Sequence, residues 1–146
     1  MSKSEIRAEI EIGAPPQAVW DVLANHEHWS KWNPVLMALH VDGPLREGMP
    51  ARLTVQLGPP MGPRTIPVRL VAAREPHELA WEGGPAGLIR ARHGFVLEPT
   101  ATGTRVVHTE VFEGTVASPL IWLLRSRLEK SYERFNRGLR DRCESA

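Results

Sequence analysis

Several things are scarce in this sequence, and each shortage excludes something. There is one cysteine, Cys143, in 146 residues, so no internal disulfide can form and a reducing, cytoplasmic setting is expected. There is no long apolar run. The longest, Pro119 to Leu124, is far too short to cross a bilayer, and the opening MSKSEIRAEIEI lacks the apolar stretch of a signal peptide. No excess of one charge exists. The net charge of +1 makes no compositional case for nucleic acid or an anionic membrane as partner. Walker loop, dinucleotide fingerprint and nucleophile elbow are all missing, and no cofactor is expected. No repeat, linker or low-complexity tract interrupts the chain, so residues 1–146 are read as one domain.

What is present organises around one stretch. From Ser118 to Arg142, apolar residues fall at Ile121, Leu124, Leu128, Tyr132, Phe135 and Leu139, in steps of three or four that form one helical stripe. Ser118 can cap this helix and Pro119 suits its first position. No second long helix is predicted, so the stripe must be buried against strands.

The strands are read from alternation. Ile6 to Ile12 alternates apolar and charged residues. Pro15 or Pro16 then opens a short helix to about Asn25, and His26 to Trp32 reads as a second, stopped at Asn33-Pro34. Met37 to Val41, Ala51 to Leu57, Ile66 to Ala72 and Leu79 to Trp81 alternate between Gly/Pro-rich turns, as in an antiparallel meander. Pro67 suggests that its strand is an edge or carries a bulge. Arg92 to Glu98 and Thr104 to Glu113 form a hairpin. If Glu98 faces Arg105, then Leu97 faces Val106, Phe95 faces His108 and His93 faces Glu110. His93, His108 and Glu110 then share a face with Phe95, Leu97, Val106 and Phe112.

The segment from Ile12 to Leu23, with Trp29 to Pro34 after it, resembles the opening of the SRPBCC superfamily, the START-like and birch-pollen-allergen-like proteins. Arg92 to Pro99 and Gly103 to Gly114 resemble its bacterial polyketide cyclase/dehydrase-like branch. The resemblance implies an α+β helix-grip fold. In it a curved antiparallel sheet of about seven strands wraps a long C-terminal helix, with two short helices after the first strand. It also implies a deep apolar cavity between sheet and helix.

On that reading Trp32, Trp81, Phe95, Phe112, Leu124, Leu128, Tyr132 and Phe135 are candidate cavity walls, and each serves equally as core. His93, His108 and Glu110 are candidate acid/base groups or hydrogen-bond partners for a ligand oxygen. A structural role for the three weighs heavier, because a carboxylate on an apolar face needs a partner and His93 can supply it. Trp20, Trp29, Asn33 and Pro34 are read as structural. His26-Glu27-His28 lacks supporting ligands, and no metal is expected. The expected partner is a small hydrophobic molecule such as a lipid or aromatic polyketide, bound by a monomer or homodimer without nucleic acid or membrane insertion. An aromatase/cyclase or dehydratase-like enzyme is the alternative, and a partner-binding regulatory module the third.

Overall fold

The computed structural model describes residues 3–56, 59–85 and 87–145. Strand β1 (Lys3–Ile12) is followed by helix α1 (Pro16–Ala24) and a 3-10 helix (His26–Lys31). Six strands follow: β2 (Leu36–His40), β3 (Pro50–Gln56), β4 (Pro63–Arg74), β5 (Glu78–Gly83), β6 (Arg90–Pro99) and β7 (Thr104–Glu113). Helix α2 (Ala117–Glu144) ends the fold. The strands make one antiparallel sheet in the order β1-β7-β6-β5-β4-β3-β2. This is the helix-grip arrangement. Register shifts between Leu36 and Ala38 and between Leu70 and Ala72 interrupt the ladders, the kind of irregularity that lets a sheet bend. The expectations for Leu57, Gly58 and Ala86, and for the Met37 side chain, lie outside the described residues.

The hairpin register is as its charges dictated. Glu98 faces Arg105, Leu97 faces Val106, Phe95 faces His108 and His93 faces Glu110. Two local expectations need correcting. Strand β4 is not an edge, since it pairs with both β3 and β5, but it does carry a bulge-type register shift, placed at Leu70/Ala72 and not at Pro67. Pro67 is tolerated because pairing with β5 begins only at Val68, one residue further on. Helix α2 also starts before Ser118. Val116 takes the cap position with no side-chain cap bond, while the Ser118 hydroxyl meets Ser4 Oγ at 3.3 Å. The chain reaches that start through Gly114, whose φ of 132° is open to glycine at little cost. Val116 N–H then donates to the Leu88 carbonyl, which ties the start of α2 to the β5–β6 loop.

Two apolar clusters lie between sheet and helix. The larger gathers Trp29, Trp81, Phe95, Phe135, Leu139 and Cys143 with residues of α1 and β2 to β7. The smaller holds Ile6, Phe112, Ala117, Ile121 and Tyr132 toward the start of α2. Of the predicted stripe, Ile121, Tyr132, Phe135 and Leu139 are buried, whereas Leu124 and Leu128 are half-buried. Asn33 holds the entry to β2 as expected. Its amide donates to the Trp29 and Leu36 carbonyls, and its Oδ1 accepts from Val35 and Leu36 N–H. Burial in the larger cluster raises the Cys143 thiol pKa to about 11.

Candidate functional site

The polar constellation forms a layer between the two apolar clusters. His93 comes from β6, His108 and Glu110 from β7, and Tyr132 and Asn136 from one face of α2, four residues apart. Asn136 Nδ2 donates to the Ala8 carbonyl at 3.4 Å, which turns its Oδ1 toward His108 Nδ1, 2.9 Å away. His108 therefore carries its proton on Nδ1, and its Nε2 accepts from His93 Nε2 at 2.6 Å. His93 Nδ1 lies 3.3 Å from Glu110 Oε1, and the Tyr132 hydroxyl donates to that same oxygen. With His93 Nε2–H committed to His108, the contact at Nδ1 also needs a proton.

The electrostatics follow from burial and neighbours. Burial would raise the Glu110 carboxyl, but the charge of His93 and hydrogen bonds from His93 and Tyr132 outweigh it and hold the pKa below its ordinary value. Burial pushes His108 well below the imidazole range. His93 adds to this, and the Asn136 bond opposes it only weakly. Burial and the adjacent Glu110 carboxylate push Tyr132 well up, so it remains a donor. His108 is fully buried, while the Glu110 side chain is 16% exposed. Glu110 is thus the member of this polar chain with the most contact with solvent.

These shifts predict a pH dependence. A histidine with a depressed folded pKa takes up its proton only in the unfolded chain, so stability falls as pH drops below the ordinary value of 6.5. Glu110 acts in the same direction, since its contribution is lost as pH falls through its depressed value. Between pH 6.5 and 5, His108 should cost up to about 1.4 kcal/mol per pH unit. Thermal unfolding across that range should show the slope, and His108→Gln should flatten it. An unchanged slope would remove His108 as its cause.

The wall candidates divide unequally. Rings fill the middle of the sheet–helix space where the resemblance implied a deep cavity. Phe135 lies 5.2 Å from Phe95, 6.1 Å from Trp29 and 4.9 Å from Trp32 between centroids. Trp81 stacks on His93 at 4.9 Å. Trp32 is half-buried and also borders a cleft of about 150 Å³ with Asp21 and Arg142. Burial is less complete toward the start of α2, where Ala8, Ile89, Ala91 and Leu128 are half-buried against the cluster of Phe112 and Tyr132, and Leu124 is half-buried as well. A concavity of about 690 Å³ opens on the opposite face of the sheet, lined by outward residues including Arg52, Arg69, Glu82 and Arg90.

The structure thus brings His93, His108, Glu110 and Tyr132 into one hydrogen-bonded chain, with Phe95, Trp81 and Phe135 packed against it. Asn136 escaped the sequence reading. Its signal was a polar residue four positions after Tyr132, on the stripe that had to be buried. Elsewhere, His26 Nδ1 engages the Leu39 carbonyl and Glu27 pairs with His40 at 3.3 Å.

Comparison with known proteins gives a consistent picture. The chain is 22% identical to TTHA0849 from Thermus thermophilus, with a TM-score of 0.72 over 97% of this chain and 98% of that one. It is 12% identical to Ara h 8.0201, with a TM-score of 0.75 over 99% and 100% of the chains. It is 17% identical to the ZhuI aromatase/cyclase from Streptomyces sp. R1128, with a TM-score of 0.71 over 98% and 94%. At such identities these likenesses show the fold. No curated protein sequence matches the chain. The model of the polyketide cyclase/dehydrase and lipid transport family matches residues 3–144, and the chain belongs to that family.

Proposed function

We propose that the protein binds a small hydrophobic molecule, such as a lipid or an aromatic polyketide, at the less completely buried end of the sheet–helix space. The observation that carries this reading is Glu110. It is the most solvent-exposed member of a buried polar chain, and its partner Tyr132 belongs to the smaller cluster, against which the partly buried Ala8, Ile89, Ala91 and Leu128 pack. An apolar ligand there would lie against Phe112, Leu124 and Leu128 and present an oxygen to Tyr132 and Glu110. Family membership supports a ligand-binding role. We read the molecule as a monomer or homodimer acting without nucleic acid.

Titration with fluorescent fatty acids and with aromatic polyketides tests this. Saturable binding is expected, and Leu128→Trp, which fills the half-exposed space, should weaken it about tenfold or more. No binding to either class would overturn the reading.

A second reading is an aromatase/cyclase or dehydratase-like enzyme, favoured by the Tyr132–Glu110–His93–His108 chain. Glu110, held as a carboxylate by His93 and Tyr132, would accept a proton from a substrate hydroxyl or carbon acid and return it to the departing oxygen. Glu110→Gln would then lower turnover of a polyketide substrate about a hundredfold while leaving affinity nearly unchanged. Unchanged turnover would leave the binding role alone.

A further inference from the structure

One surface is unlike the rest of the molecule. Trp122 and Leu123, near the start of α2, are 81% and 70% exposed, and Leu88 on the adjoining β5–β6 loop is 53% exposed. Large apolar side chains this exposed and this close together call for a partner.

The rest of the helix indicates its chemistry. Val116, Leu120, Leu123, Arg127, Lys130 and Arg134 follow at steps of four, three, four, three and four, so they form one stripe on α2. All six are exposed, opposite the stripe of Ile121, Tyr132, Phe135 and Leu139 that packs inward. The first half of the outer stripe is apolar and the second half is cationic. Among the described residues, Arg127, Lys130 and Arg134 have no acidic partner. Two of the acids nearby are otherwise occupied, with Glu129 facing Arg125 at 3.8 Å and Glu113 facing Lys3 at 3.1 Å. Glu133 lies to one side of the stripe, on the flank that Trp122 also occupies, so the apolar turn spans the end of the helix while the cations keep to the stripe.

We propose that this end of α2 docks peripherally on an anionic lipid bilayer. The apolar tip of Leu88, Leu120, Trp122 and Leu123 enters the acyl boundary, and the cations behind it meet the phosphates. At about 1.5 Å per residue, Arg127 and Lys130 sit about 6 and 10 Å behind Leu123, which is the depth of a headgroup layer. A second copy of the chain satisfies the stripe less well. A two-fold contact centred on the apolar turn leaves the cations outside it, and one along the stripe sets cations against leucines. A net charge of +1 conceals this surface because it averages the stripe with acids elsewhere. Among the described residues no helix is long and apolar enough to cross a membrane. The docking goes beyond the ligand reading and is measured with no ligand present.

The test is sedimentation with phosphatidylcholine vesicles, with and without about a third phosphatidylglycerol, alongside tryptophan emission. Trp20, Trp29 and Trp81 are buried and Trp32 is half-buried, so Trp122 dominates any shift. Partition should rise about tenfold or more with the anionic lipid, and the emission should move to shorter wavelength. Trp122→Ala with Leu123→Ala should lower partition about tenfold or more, and Arg127→Gln with Lys130→Gln about thirtyfold. All four side chains are exposed, and circular dichroism confirms that the variants fold. Absent partition, partition insensitive to both pairs of substitutions, or a concentration-dependent dimer that shields Trp122 would each overturn the proposal.

Discussion

Phe135→Ala is expected to destabilise the protein by about 3–5 kcal/mol, lowering its midpoint by roughly 10–15 °C. Phe135 is fully buried on α2 and touches four rings of different origin. Its centroid lies 6.1 Å from Trp29, 4.9 Å from Trp32, 5.2 Å from Phe95 and 5.3 Å from His108. Those partners come from the 3-10 helix and its C-cap, from β6 and from β7, so truncation weakens the helix's hold on three separate elements at once. Collapse into the void is restricted because the neighbouring rings also pack on one another, as Trp29 does on Trp81 at 5.7 Å. Domains of this kind are stable by only about 5–15 kcal/mol, so the loss is a large share of the total. Thermal and urea unfolding measure it directly. The hole would be apolar on most sides, and added benzene or indole should restore part of the midpoint. A loss below about 1 kcal/mol would mean that the helix is held chiefly elsewhere.

Gly138→Ala is expected to destabilise as well, against the trend for glycines inside helices. Such a change ordinarily gains up to about 1 kcal/mol, because alanine has the higher helix propensity. Here a methyl group would overlap the Trp32 carbonyl oxygen and come within 3.3 Å of the Trp32 ring. Backbone oxygen cannot swing aside as a flexible side chain can. Either α2 must lift off the 3-10 helix or Trp32 must move, and Trp32 packs on Phe135. Overpacking of this sort costs about 1–3 kcal/mol and outweighs the propensity gain. Chemical denaturation should therefore show a lower midpoint with an unchanged slope, and the Trp32 signal should shift. A raised midpoint would show that the contact yields.

The sequence carried the layout well because its signals were periodic. Alternation marked the strands, steps of three and four marked α2, and the Glu98–Arg105 charge pair fixed the hairpin register and with it the meeting of His93 with Glu110. What escaped reading depended on distant chain segments. Ser118 looked like a cap in isolation, but Gly114 and the Leu88 carbonyl set where α2 begins. Pro67 looked like an edge or bulge signal, yet its strand is interior, and the proline is tolerated because the β5 ladder stops one residue short of it. Asn136 is polar and invited the surface, while its burial depends on His108 and Ala8 meeting it from two other strands. Whether rings line a hollow or fill it depends on rotamers and mutual packing, which alternation does not encode.

Cys143 has a practical consequence. With its pKa near 11, only about one thiol in ten thousand is ionised at pH 7, and the buried sulfur is out of reach of most reagents. A cysteine introduced at an exposed position such as Thr102 would react with a maleimide long before the native one. Fluorophores or spin probes can therefore be attached site by site without first deleting Cys143.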